Sequence, residues 1–241
     1  MINVGISYGF GEENRYYEEN IPSDIQLALY KYPLYKANEP KIIKALEEAK
    51  TNILTVHLPI DATKFHRPEV LISLMQFYFK KFKCKNFILH PNKGLNAFII
   101  KYWEVLGDTP FGPPFNLCLE TFQWKKKKSL RSPLDIMEYC IRYKGFRMCI
   151  DTSHIEDIWF DYKIMSKLLQ YTSVIHLSNR STVHGQHMPF NSQDGDLNLV
   201  AFVKDLKKRY LWDGTIILEY MSQYRDKLRK NCEYIKRLVN E

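Results

Sequence analysis

The 241-residue chain is 45% hydrophobic and carries 35 Lys and Arg against 27 Asp and Glu, for a net charge of +8. That is apolar mass enough for one sizeable core, and a length common among α/β barrels that fold as one unit over residues 1–241. No run of about 18 apolar residues occurs, which excludes a membrane-spanning helix.

The first residues, MINVGISYGF, lead straight into a strand-like pattern without a basic stretch and a long apolar stretch, so no secretory signal is expected. The five cysteines (Cys84, Cys118, Cys140, Cys149 and Cys232) are odd in number and have no CxxC spacing. Reduced, mostly buried thiols and a cytoplasmic location are the expectation. The basic balance would attract a polyanion such as nucleic acid or a phosphorylated substrate. Its densest patch, Lys125 to Lys128, falls in an expected loop and reads first as a solvated face.

Along the chain, short apolar runs alternate with amphipathic segments. The first run, INVGISY from Ile2, is followed by the polar GFGEENRYYEENIP, which reads mostly as loop. IQLALYKY from Ile25 comes next, then the helical pattern EPKIIKALEEAK with Pro40 near its expected start. ILTVHL from Ile53 precedes RPEVLISLMQFYFKKF, a helix opening at Pro68. NFILHP from Asn86 and NLCLET from Asn116 are two more strand-like runs. SPLDIMEYCIRY has Ser132 as N-cap and Pro133 at the first helical position. RMCIDT from Arg147 and VIHLSN from Val174 lead to the helix LNLVAFVKDLKKRY. TIILEY from Thr215 precedes the terminal helix SQYRDKLRKNCEYIKRLV. Each run is short, rich in Ile, Val, Leu and Phe, and bounded by turn residues, as strands buried on both faces are. Eight such strands with helices between them in this length predict a closed (β/α)8 TIM barrel of parallel strands. Neither GxGxxG nor GxxxxGK[ST] is present.

Six of the eight strands end in a potential metal ligand: His57, His90, Glu120, Asp151 with His154, His176, and Glu219. In such a barrel all C-terminal strand ends meet on one face, so residues remote in sequence converge there. Of seven histidines, five lie at or just past these endings, counting His187 in the loop after the seventh strand. His184 shares that loop, and only His66 has no place in the set. A lone histidine is usually structural, but that reading would have to cover nearly all of them together with three carboxylates. Clustered carboxylates repel unless a cation neutralises them. A divalent metal is expected, and the mixed imidazole and carboxylate donors suit zinc, manganese, cobalt or iron better than magnesium.

The motifs VHLP, LHPN, LCLET, CIDTSH, IHLSN, HMP…GDLNL and DGTIILEY, in this order and spacing, resemble the xylose-isomerase-like barrel superfamily. That group holds both sugar isomerases and epimerases and the endonuclease IV class of DNA-repair nucleases (AP endonuclease family 2). The resemblance to the isomerases implies one zinc or manganese ion on Glu120, Asp151, His176 and Glu219. It also implies that Glu120 and Glu219 are the acid/base pair of an enediolate-type proton transfer on a sugar, a sugar phosphate or a related polyol. His57, His90, His154 and His187 would then support the metal or bind substrate.

The resemblance to the nucleases implies instead two or three zinc ions and a DNA substrate cut at abasic sites. One ion would sit on His57, His90 and Glu120, a second on Glu120, Asp151, His176 and Glu219, and a third on His154, His187 and an aspartate two residues earlier. That earlier position is Gly185 here, and FNSQDGDL stands where the nucleases have GEG. The third ion therefore lacks a ligand unless His184 or Asp194 supplies it. A barrel turned to another metal chemistry, such as a multi-iron oxidase, or to binding alone, is a further possibility.

Trp124 and Trp159 follow strand ends and are candidates to stack on substrate, whereas Trp103 and Trp212 read as packing. Tyr8 and Phe10 are placed to line the mouth. Arg180 offers either a phosphate contact or a surface charge, and Asp61 and Asp157 read as loop or capping residues.

Overall fold

The computed structural model describes residues 1–9, 21–30, 32–59, 67–91, 94–106, 114–121 and 132–241, with side chains of the first helix described from residue 36 onward. Eight parallel strands close into a barrel: β1 (Asn3–Gly9), β2 (Asp24–Ala28), β3 (Asn52–His57), β4 (Asn86–Leu89), β5 (Asn116–Glu120), β6 (Phe146–Asp151), β7 (Thr172–Leu177) and β10 (Thr215–Leu218). The ring closes where Asn3 to Ile6 of β1 run in register with Thr215 to Leu218 of β10. A short antiparallel hairpin, β8 (Asn179–Ser181) and β9 (Gly185–Met188), rises between β7 and β10. Among the described residues the helices are α1 (Tyr32–Glu48), α2 (Pro68–Phe82), α3 (Leu95–Leu106), α4 (Pro133–Arg142), α5 (Tyr162–Leu169), α6 (Leu199–Lys208) and α7 (Arg225–Leu238). No helix among them is long and apolar enough to cross a membrane.

The predicted strands and the (β/α)8 architecture are observed. At α4 the Ser132 side chain accepts from the Asp135 amide and the Asp135 carboxylate accepts from the Ser132 amide, a reciprocal cap just before Pro133. The first helix differs from expectation. It starts at Tyr32, not near Pro40, and Pro40 lies in its interior. A proline signal marks a first turn only when nothing helical precedes it, and here two turns do, at the loss of one backbone donor. The helices α3 and α5 and the hairpin β8–β9 are not among the expected segments. In α3 the buried Leu95, Phe98, Ile99 and Tyr102 recur at i, i+3, i+4 and i+7.

Strand alternation sorts the core into two layers. Phe87, Leu89, Leu117, Leu119, Met148, Ile150, Ile175, Leu177, Ile216 and Leu218 join the large core that the helices cover. Ile88, Cys118, Cys149, Val174 and Ile217 form a separate cluster inside the ring, with Leu54 against it. Two residues beyond each of those five stand His90, Glu120, Asp151, His176 and Glu219. The period of two that plugs the barrel with apolar side chains thus sets five polar ones in one layer above the plug. All five cysteines are buried free thiols, as expected. Cys149, beneath the polar layer, has its thiol pushed up to about 12 by burial.

Candidate metal centre

Each polar side chain reaches the mouth because its strand ends there. Glu120 is the last residue of β5, Asp151 of β6 and His57 of β3. His176 is one residue inside the end of β7, while His90 and Glu219 follow β4 and β10 directly. His57, His90, Glu120, Asp151 and His176 are buried and Glu219 is partly buried.

Among the described residues, donor atoms fall into three groups, in each of which the atoms lie within 4.8 Å of one another: His57, His90 and Glu120; Glu120, Asp151, His176 and Glu219; and Asp151, His154 and His187. Glu120 belongs to two groups, and its oxygens are divided between them. Oε2 faces His90 Nε2 at 2.6 Å and His57 Nε2 at 3.0 Å, while Oε1 faces His176 Nδ1 at 3.1 Å. His176 Nδ1 is also 2.8 Å from Glu219 Oε2. Asp151 is divided as well. Its Oδ1 accepts from the Ser153 amide and hydroxyl at 2.9 and 2.8 Å, and its Oδ2 faces His154 Nδ1 at 3.2 Å and His187 Nδ1 at 4.0 Å.

The donor set fits a divalent cation on two observations. Asp151 Oδ2 and Glu219 Oε2 are buried carboxylate oxygens without a well-formed hydrogen bond, each facing only an imidazole nitrogen, His154 Nδ1 at 3.2 Å and His176 Nδ1 at 2.8 Å, a rare condition for buried acceptors. In addition, two imidazoles have their outward nitrogen tied to an acceptor. His57 Nδ1 lies 2.7 Å from the Leu58 carbonyl oxygen, and His176 Nε2 lies 2.8 Å from Gln26 Oε1. A neutral ring that donates outward presents a lone pair inward, here to carboxylates, an arrangement a cation resolves.

Without a cation the electrostatics are those of a tight ion-pair cluster. Burial raises the Glu120 carboxyl, yet His90, His176 and His57 outweigh it and hold the group well below the usual carboxylate range. Glu219 is likewise opposed by burial and is held low by His176 and His187. Burial disfavours the charged form of His176, but Cys149, Glu219 and Glu120 nearby hold its proton to well above the ordinary value. His187 is raised for the same reasons, with Asp151 its foremost partner.

His187 arrives on the hairpin, not on a barrel strand. It takes a left-handed φ of 54°, rare for a side chain with a Cβ, and its carbonyl accepts from the Met221 amide at 2.9 Å, beside the end of β10. Its Nδ1 lies 3.3 Å from Ser178 Oγ. Asn179, wholly buried, clamps the base of the hairpin. Its Nδ2 donates to the Phe190 and Leu197 carbonyls, and its Oδ1 accepts from the Arg180 and Leu197 amides.

Other expected candidates stand elsewhere. His184 is exposed at the hairpin tip and Asp194 is exposed in the following loop, and among the described residues neither joins a donor group. The Arg180 guanidinium donates to the Ile155 carbonyl and the Asp157 carboxylate, which commits it to the loop after β6. Trp159, on the 3-10 turn Asp157–Phe160, packs with Tyr8 against the large core. Trp103 also packs there, and Trp212 donates from Nε1 to the Thr172 carbonyl. Phe10, Asp61, His66, Trp124 and Lys125 to Lys128 lie outside the described residues.

Two residues of the layer were not anticipated. Tyr30, just past β2, donates its hydroxyl to Glu219 Oε1, and burial, with Glu219 and Glu120 nearby, raises its phenol well above the ordinary value. Gln26 lies in β2 itself, fully buried beneath His176. The sequence held a signal for both. A glutamine interrupts the apolar run IQLAL, and β2 is one of two strands without a ligand at its end.

A closed parallel barrel with an imidazole and carboxylate layer at its C-terminal mouth defines a class: (β/α)8 proteins with a candidate metal-binding cluster at the strand ends. Within that class the family is shown by sequence. Residues 100–238 match the xylose isomerase-like TIM barrel family, and the chain belongs to it. A search of curated proteins by sequence returns no match. Among solved structures, a D-tagatose 3-epimerase-like protein superposes with a TM-score of 0.71 at 16% identity, covering 99% of this chain and 98% of its own. Endonuclease IV from Thermus thermophilus superposes with a TM-score of 0.63 at 13% identity, covering 99% of both chains. The probable 3-DHS dehydratase AsbF from Bacillus anthracis gives 0.61 at 13% identity over 89% of this chain and 88% of its own. At such identities the likeness is one of fold.

Proposed function

We propose that the protein is a divalent-metal-dependent isomerase or epimerase that acts on a sugar, a sugar phosphate or a related polyol by enediolate-type proton transfer. The observation that carries this reading is the placement of Glu120 and Glu219 on either side of His176, with Asp151 completing the group. The two glutamates come from strands three places apart around the ring, so they approach the mouth from different sides. Their surroundings differ, which suits two carboxylates to different acid and base roles. Three imidazoles surround Glu120, whereas Glu219 has one imidazole on Oε2 and the Tyr30 hydroxyl on Oε1. Glu120, Asp151, His176 and Glu219 would hold the ion, zinc or manganese by donor type. Such an ion supplies Lewis acidity to the carbonyl and hydroxyl oxygens of the substrate. One glutamate removes the proton next to the carbonyl and the other returns it, and the buried layer keeps water from competing.

A second reading is favoured by one observation. The flanking groups, His57–His90–Glu120 and Asp151–His154–His187, share a carboxylate each with the central group. Shared carboxylates are how neighbouring ions are held together, and a multi-metal site suits phosphodiester hydrolysis of DNA at abasic sites. The net charge of +8 agrees with a polyanionic substrate.

The test pairs two assays on protein loaded with zinc, manganese or cobalt. Ketoses and their phosphates are incubated in deuterated water, and a duplex carrying one abasic-site analogue is incubated alongside an intact duplex. Deuterium entering the carbon beside the carbonyl, abolished by Glu219→Gln, supports the isomerase reading. Nicking at the abasic site without exchange into any sugar overturns it in favour of the second.

A further inference from the structure

We propose that Gln26 is a positioning residue that fixes the tautomer of His176, so that Nδ1 presents its lone pair to the ion; the inference rests on the metal-dependent reading of this site. Gln26 is fully buried in β2, three places round the ring from the strand that carries His176. Its Oε1 accepts from Thr55 Oγ1 at 2.9 Å and stands 2.8 Å from His176 Nε2, and its Nε2 donates to Ser7 Oγ at 3.3 Å. The hydroxyls of Ser7 on β1 and Thr55 on β3 therefore hold the carboxamide from both sides, with its oxygen turned to the imidazole.

An amide can turn by half a rotation at little cost in shape, and the two orientations have opposite consequences. With Oε1 toward the ring, Nε2 must carry the proton and Nδ1 is free to coordinate between Glu120 and Glu219. With the NH2 group toward the ring, Nε2 must accept, the proton moves to Nδ1, and the donor faces the two carboxylates as a plain ion pair. The first state favours a cation, and the second disfavours one because the Nδ1 proton must first be displaced. Three strands thus contribute a polar relay below the mouth whose one output is which nitrogen of His176 is protonated. A glutamine placed only to fill space in this layer would have no reason to be held by two hydroxyls, since an apolar side chain would pack as well without needing partners.

The test compares wild type with Gln26→Leu, which keeps volume but accepts nothing, and Gln26→Glu, whose carboxylate, once ionised, can only accept. Zn2+ affinity is read by competition with a chromophoric chelator, and the His176 tautomer by long-range 1H–15N spectra of the zinc-loaded, histidine-labelled protein. The expected result is an affinity loss of roughly 10- to 100-fold in Gln26→Leu, near-wild-type or tighter binding in Gln26→Glu, and a proton on Nε2 of His176 in wild type. Circular dichroism and thermal unfolding of the metal-free variants report whether each is folded, and Gln26→Glu with the tautomer spectrum carries the test should Gln26→Leu not be. Wild-type affinity in a folded Gln26→Leu, binding by Gln26→Glu as weak as a fold-intact Gln26→Leu, or a proton on Nδ1 in the zinc-loaded wild type overturns the role of Gln26 alone. Absence of zinc binding by wild type overturns the metal-dependent reading itself.

Discussion

The central and hairpin donor groups share Asp151 but are built differently. Glu120, Asp151, His176 and Glu219 stand at or beside the ends of neighbouring parallel strands, above an apolar plug that fixes their height. The hairpin group adds His154, in the turn after β6, and His187, which is partly exposed and held in a left-handed conformation on a ribbon outside the ring. A strand end has its direction set by ladder bonds on both sides, whereas a hairpin donor depends on a few local contacts. The central group is therefore the rigid one, and the hairpin group is the part of the site that sequence change can adjust at least cost to the fold.

The largest effect that would sharpen this contrast is on turnover. Glu120→Gln removes a carboxylate that two groups share and should lower activity by roughly 100- to 10,000-fold, the range for a lost acid–base group, with loss of metal from both groups. His187→Ala should leave the central group occupied and turnover within about tenfold of wild type by the same scale. Metal content and initial rates on the two variants check this, and equal losses would show that the two groups act as one unit.

Next in size is the clamp. Asn179→Ala removes four hydrogen bonds and leaves two carbonyls and two amides to find new partners at a buried site. A cost of about 2–3 kcal/mol is expected, measured by denaturant unfolding. Gly195 is bound to the same place, since a Cβ there would come within 2.4 Å of the Asn179 side chain. If the hairpin is the adjustable part, Asn179→Ala should also weaken metal at the hairpin group while the central group stays filled.

The same contrast governs what the sequence discloses. Strand period makes the central donors legible: once Cys118, Cys149, Val174 and Ile217 are read as buried, the residues two further on must share their side of the sheet. Nothing of that kind exposes the hairpin, because NRS and GQHM have no apolar alternation and the ribbon is held by the Asn179 side chain across the chain. Tyr30 and Gln26 fall between these cases. The polar residue in β2 was visible, but its partner, His176, lies 150 positions away and only closure of the ring brings them together. Pro40 misled for a local reason: the helix already begins at Tyr32, so Pro40 lies in its interior and not in its first turn.

Stability against pH provides a smaller effect with a defined sign. In the metal-free protein Glu120 and Glu219 titrate below the ordinary 4.5, so their contribution is present above about that value and is lost as pH falls further. His176 and His187 titrate above the ordinary 6.5, so theirs is present below about 6.5 and is lost as pH rises through the folded values. Both statements describe the same ion pairs, and together they place the metal-free optimum between about 4.5 and 6.5. Metal loading must displace the imidazole protons and should move the optimum upward. Thermal unfolding with and without chelator across this range checks both halves, and a chelated protein most stable in alkali would break the account.

The smallest expected effect tests whether the hairpin is adjustable in practice. Gly185 opens β9 with a φ of +87°, and a Cβ there would meet nothing within 4 Å. Space is thus no obstacle to Gly185→Asp, and the cost is conformational, about 1–2 kcal/mol for a side chain in the left-handed region, with aspartate among the residues that tolerate it. The new carboxylate would stand two residues before His187, in the group that now holds one carboxylate and two imidazoles. Zinc bound per chain should rise or tighten at the hairpin group while the affinity of the central group changes less, because Glu120, His176 and Glu219, the donors that the two groups do not share, stand at or beside strands that the hairpin does not pair with. Isothermal titration of zinc into wild type and Gly185→Asp resolves the two. A change confined to the central group would mean that the ribbon and the ring are mechanically coupled, and that Met221, whose amide joins the His187 carbonyl to the end of β10, transmits the strain.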